Sequence, residues 1–240
     1  MRFIALILLV VLIFPAHRAA AACVASDRAC VIRDLIKTAE KIEKDHWRDQ
    51  TYREIAKTLA AEGRYDDAIN FIDKVGNPDT KAMTIRGIGM TAAEHGISAD
   101  DYNTLFQALH SKAADIEHPP SHAIALTYIA MVQAFANDDK GAWKTAGSMD
   151  NDALRNKAYG ETAEIQAERG KYAQAMQSIK QINSESFKNK AFSITSKIFA
   201  DDGHYDHALG AAEGITNTYK RARALQYILD QQKPREQPHD

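Results

Sequence analysis

From Arg48 to Gln231, apolar and small side chains recur every three or four residues, and the whole pattern returns after about 33 positions. That spacing places the apolar positions on one face of a helix. Runs of β-branched residues that would mark strands are missing. Proline and glycine are sparse (6 and 12 in 240 residues) and alanine is abundant. The pattern predicts an all-α chain, and a long all-α chain with an internal period predicts stacked repeats.

Four segments align without gaps: RDQTYREIAKTLAAEGRYDDA, KAMTIRGIGMTAAEHGISADD, RNKAYGETAEIQAERGKYAQA and KNKAFSITSKIFADDGHYDHA, starting at Arg48, Lys81, Arg155 and Lys188. Their turn glycines are Gly63, Gly96, Gly170 and Gly203. The wide central gap holds a fifth unit, IALTYIAMVQAFANDDKGA, with Asn137 in the glycine place. Asparagine is the best non-glycine residue where a turn needs positive φ. The steps are then 33, 41, 33 and 33. The eight extra residues are expected in a loop around DIEHPPSH, where Pro119 and Pro120 end any helix.

Three residues before each turn stands an alanine: Ala60, Ala93, Ala134, Ala167 and Ala200. Seven before it comes a small residue (Ala56, Gly89, Ala130, Ala163, Ser196), and eleven before it a bulky one (Tyr52, Ile85, Leu126, Tyr159, Phe192). Small residues at a helix crossing allow close approach, and a large one fills the space beside them. Each unit therefore reads as helix, tight turn, helix, and stacking five hairpins is expected to build one continuous core. Residues 23–47, with Ile32, Leu35, Ala39 and Ile42, read as an N-terminal capping helix. Within the repeat domain at 48–231, the stretch from Arg221 with Leu225, Ile228 and Leu229 reads as the C-terminal cap, and the polar, proline-broken 232–240 as a disordered tail.

The phrase resembles the tetratricopeptide repeat, a family with a period of about 34 residues. Tyr65, Tyr172 and Tyr205 stand at the family's aromatic place two residues after the turn, and Ala68, Ala175 and Ala208 at its alanine. The second and third units and the missing closing prolines depart from the family pattern. The resemblance implies a right-handed α-α superhelix of about five hairpins plus capping helices. It also implies a concave groove, lined by the first helices, that takes an extended peptide or a partner helix.

The groove positions under that resemblance fall thirteen, ten and six residues before each turn. They gather Arg53, Lys57, Arg86, Lys157, Lys190 and Lys197 around Met83, Met90 and Met131. Methionine makes an adaptable binding surface, and the bases favour an acidic peptide or a terminal carboxylate. The expected partner is thus a protein or peptide. The family's asparagines for carboxylate clamping are missing.

The start of the chain changes the compartment. Arg2, an apolar run of 12 residues from Phe3 to Phe14, and then Ala20-Ala21-Ala22 have the layout of a secretory signal peptide over 1–22. A membrane-spanning helix needs roughly 20 apolar residues. Cleavage near Ala22 would leave an exported chain, periplasmic or secreted, with no later spanning segment. Cys23 after small residues is also compatible with a lipid-attachment site. Ala20 in place of leucine, and Pro15-Ala16-His17-Arg18 between run and cysteine, argue against it. In an oxidising compartment Cys23 and Cys30 can pair as a disulfide. After Ala22 the chain carries 28 basic and 32 acidic residues, a mild acidity that attracts neither nucleic acid nor anionic membrane.

Other clusters weigh less. DDGHYDHA (Asp201 to Ala208) suggests a metal site, yet His204 and His207 stand where other units have Arg64 and Asp67 or Lys171 and Gln174. Two imidazoles also fall short of a metal ligand set, so both are expected on a solvated helix start. No nucleophile elbow or phosphate-cradling glycine loop is present, and no cofactor is implied. The reading is a non-catalytic interaction scaffold. Its rival is an accessory subunit or small hydrolase using a His118–His122 loop.

Overall fold

The computed structural model describes residues 23–232. The leader expected over 1–22 and all but the first residue of the tail expected over 232–240 lie outside them. Twelve helices and no strand occur among the described residues. They are α1 (Arg28–Ala39), α2 (Asp45–Ala61), α3 (Tyr65–Lys74), α4 (Pro78–Glu94), α5 (Ala99–Ala114), α6 (Pro119–Phe135), α7 (Asp139–Gly147), α8 (Asp152–Glu168), α9 (Tyr172–Lys180), α10 (Glu185–Asp201), α11 (Tyr205–Glu213) and α12 (Thr218–Gln231).

Five turns fold ten of these helices into hairpins. The turn residues are left-handed in every case: φ is 71° at Gly63, 73° at Gly96, 70° at Asn137, 70° at Gly170 and 77° at Gly203. The helices entering and leaving each turn pack on each other, and the first helices α2, α4, α6, α8, α10 and α12 pack in chain order. The small positions before the turns explain this closeness. Ala56, Ala60, Ala130, Ala134, Ala163 and Ala167 are fully buried. At Gly89 an added Cβ would lie 2.8 Å from Val132 Cγ1 of the next first helix.

Three features differ from the sequence reading. First, the extra residues of the second unit do not form a loop. α5 has 16 residues, whereas α3, α7, α9 and α11 have 9 or 10. Pro119 and Pro120 open α6, with His118 as its N-cap residue. Proline is tolerated in a first helical turn because the N–H it lacks has no helical acceptor there. Second, the apolar core is divided. One cluster spans α1 to α6, another spans α6 to α12, and Leu126 of α6 packs against both. Buried Gln133, Thr145, Gln166 and Ser178 sit in hairpins three and four, where Thr145 Oγ1 donates to Gln133 Oε1 and Ser178 Oγ to Gln166 Oε1, each at 2.6 Å. Third, the end helices pack on one side only. In α1, Ile32 and Ala39 are buried but Leu35 is exposed, and in α12, Ile228 is buried but Leu229 is exposed.

Cys23 and Cys30 form a disulfide with Cα atoms 5.7 Å apart. The Cys30 amide also donates to the N-cap side chain of Asp27 at 3.0 Å, so the start of α1 is held twice. Among the described residues no helix is long and apolar enough to cross a membrane.

Candidate functional site

Five of the nine predicted groove residues come together. Arg53 and Lys57 on α2 and Met83, Arg86 and Met90 on α4 line one surface cleft of about 460 Å³. Their spacing of three and four residues puts them on one face of each helix. Gly87 brings α2 and α4 close here: an added Cβ would lie 2.9 Å from Lys57 Cγ, so the lysine stem runs across the glycine. Arg53 Nη1 lies 3.8 Å from Met83 Sδ.

The cleft is less basic than its predicted residues suggest. Glu54 accepts from Arg53 Nη2 at 2.9 Å and from Lys57 Nζ at 2.7 Å. Burial alone would raise the Glu54 pKa, but the hydrogen bonds from Lys57 and Arg53 outweigh it and hold the carboxyl below its ordinary value. Glu94 also lines the cleft. The Arg86 guanidinium carbon sits 5.4 Å from the Tyr128 ring centroid, a cation–π contact. The cleft therefore sets three bases against two acids beside an exposed methionine and an aromatic ring.

The remaining predicted residues lie elsewhere. Lys157 lines a separate cleft at the starts of α6 and α8. Lys197 lines a third, between α10 and α12, with Lys220, Arg223 and Tyr227, and its Nζ stands 5.1 Å from the Tyr227 ring centroid. Lys190 is close enough to Glu164 to oppose the rise in that carboxyl's pKa. Met131 does not belong to the groove: it is buried and packs with Ala134, Ala142 and Ile165.

Sequence reasoning missed the position nine residues before each turn, which supplies Glu54, Gly87 and Tyr128 to the cleft. The signal was available. Positions thirteen, nine and six before the turn follow the i, i+4, i+7 spacing of a single helical face, and only thirteen, ten and six were used.

The histidine pairs have structural settings. His118 Nδ1 is 2.6 Å from Ser121 Oγ, and Ser121 Oγ donates to Asp79 Oδ1 at 2.5 Å. Here the serine stands between histidine and aspartate, whereas nucleophile activation needs the histidine in the middle. Ser121 is fully buried as well. His122 occupies the place held by Arg48, Lys81, Arg155 and Lys188 in the other units, inside α6 and not in a long loop. His207 is not simply solvated. Its ring stacks on Tyr172 of α9 with centroids 4.5 Å apart and meets Phe199 of α10 edge-on at 5.4 Å. His204 is exposed, with its ring centroid 5.8 Å from that of His207. Among the described residues no three His, Cys, Asp or Glu side chains converge as metal ligands would.

The class defined by this fold is an all-helical chain of stacked hairpins with clefts between consecutive first helices. Comparison of the chain with protein-family models, with curated proteins and with solved structures finds no match.

Proposed function

We propose that this chain is a non-catalytic interaction scaffold or adaptor of the cell envelope, exported by its leader. Its hairpins wind into a right-handed superhelix of the tetratricopeptide kind and hold an acidic peptide or partner protein against the first helices. The supporting observation is the convergence of Arg53, Lys57, Arg86, Met83 and Met90 on one cleft beside the Tyr128 ring. Exposed bases steer an acidic partner and set its register. Methionine and tyrosine supply adaptable apolar contact.

The test is a Lys57→Glu, Arg86→Glu double variant titrated with fluorescein-labelled acidic peptides and followed by anisotropy. Both side chains are on the surface, so the circular dichroism spectrum and Tm should stay close to those of the parent chain. Peptide affinity should fall at least about tenfold, and the parent affinity should weaken with added salt. Unchanged affinity in a folded variant overturns the assignment.

A further inference from the structure

Three of the five connections that leave the hairpins share one device. Fourteen residues before the turn, a side-chain oxygen accepts from the backbone that leads into the next first helix. Asp49 accepts from the amides of Gly76 and Asn77 at 3.1 and 2.8 Å, Asn156 from Asn183 at 3.0 Å, and Asn189 from Thr216 at 2.8 Å. In the second and third hairpins that position is an alanine, Ala82 and Ala123. In the third, the amide equivalent to those of Gly76, Asn183 and Thr216 is that of Asp150, and among the described residues no side chain accepts from it.

Beside this connection lies a cleft of about 800 Å³, lined by both Ala123 and Asp150. Its walls are mainly apolar: Pro119, Ile124, Leu126, Met149 and Leu154. Exposed Lys157 also lines it, as does His122, against the single acid Asp150. In the third hairpin a methyl group thus stands where Asp49, Asn156 and Asn189 carry an acceptor, and it does so on the wall of this apolar cleft.

We propose that this cleft takes a large apolar side chain from an extended partner segment, while the partner's adjacent aspartate accepts from the Asp150 amide and pairs with Lys157. An apolar ligand alone would cover that amide without giving it an acceptor, which is costly. A carboxylate satisfies it as Asp49 satisfies Gly76, and Lys157 supplies charge complementarity. Because Asp150 borders the same cleft, the match is to one acid beside an apolar residue and not to an acidic run. The inference rests on the partner-binding reading above but uses a different cleft, sharing no residue with the one around Arg86.

The experiment titrates the chain with two acetylated, amidated peptides, one carrying Phe-Asp and the other Phe-Ala in the same glycine-serine flanks, by calorimetry and amide NMR shifts. The Phe-Asp peptide is expected to bind with shifts confined to the starts of α6 and α8 and to residues 148–151, and the Phe-Ala peptide at least tenfold more weakly. Ala123→Asn installs the acceptor used elsewhere in the repeat, so it should raise Tm and weaken Phe-Asp binding at least tenfold. Lys157→Glu, an exposed change, should weaken it without altering the fold, and carries the test if Ala123→Asn does not fold. The Lys57→Glu, Arg86→Glu variant should bind Phe-Asp like the parent chain, so loss at one cleft is separable from loss at the other. The proposal is overturned by equal affinity for the two peptides, by undiminished binding to a folded Ala123→Asn chain, or by decanoate occupying this cleft while the Phe-Asp peptide does not.

Discussion

At Gly170 the backbone has φ of 70°, and a Cβ added there would meet nothing within 4 Å. Any cost of Gly170→Ala must therefore come from backbone strain and not from collision. Left-handed backbone costs a residue with a Cβ roughly 1–2 kcal/mol, so chemical denaturation of Gly170→Ala should show a loss of about that size with an unchanged m-value. Asn137, with φ of 70°, already carries part of this cost. The turn residues were readable because the left-handed region admits so few residue types. Met131 was not readable: its repeat position is half-buried in Lys57 and Met90 and exposed in Lys197. Ala142 of α7 and Ile165 of α8 enclose it.

Between elements, the acceptor fourteen residues before the turn acts as a clasp at the ends of the first, fourth and fifth hairpins. Asp49 is almost fully buried, and its carboxylate receives the amides of Gly76 and Asn77. Asp49→Ala leaves both amides without their charged acceptor; such a hydrogen bond contributes about 1.5–3 kcal/mol, and water can offset part of the loss because Gly76 and Asn77 are exposed. Its thermal unfolding should accordingly fall well below that of the parent. Asp49→Asn keeps an oxygen in place, as Asn156 and Asn189 do, and should recover most of the loss. The hairpin register was legible in the sequence because alanine must stand wherever two helices nearly touch. The boundary between α5 and α6 was not, because a proline pair stops one helix and starts another by the same chemistry. For the candidate site, the bases and methionines of α2 and α4 could be read from spacing. Their acidic partner Glu54 and the Tyr128 ring lay on a position left uncounted.

At the scale of the whole molecule, α8 stands mid-row between α6 and α10, and Glu164 is half-buried there. Burial first, then the nearby Glu161 and Glu168 carboxylates, raise its pKa to about 7, against an opposing pull from Lys190. The unfolded chain releases this proton near the ordinary value of 4.5, and the folded chain keeps it until about 7. The unfolded state thus binds fewer protons across that window, so this group's contribution to stability falls as pH rises through it and levels off above. Glu164→Gln should remove that slope: melting curves of variant and parent should nearly coincide at the acid end, with the variant melting higher at pH 8. The long α5 bears on the molecule in another way. Its additional six or seven residues amount to about two turns at 3.6 residues per turn, and Lys112 within them reaches back to Asp73 of α3 at 2.7 Å. A helix can gain length here only in near-whole turns if the next hairpin is to keep its heading. The architecture thus carries an arithmetic of its own for insertions, in which seven residues slip in quietly and five would swing everything downstream.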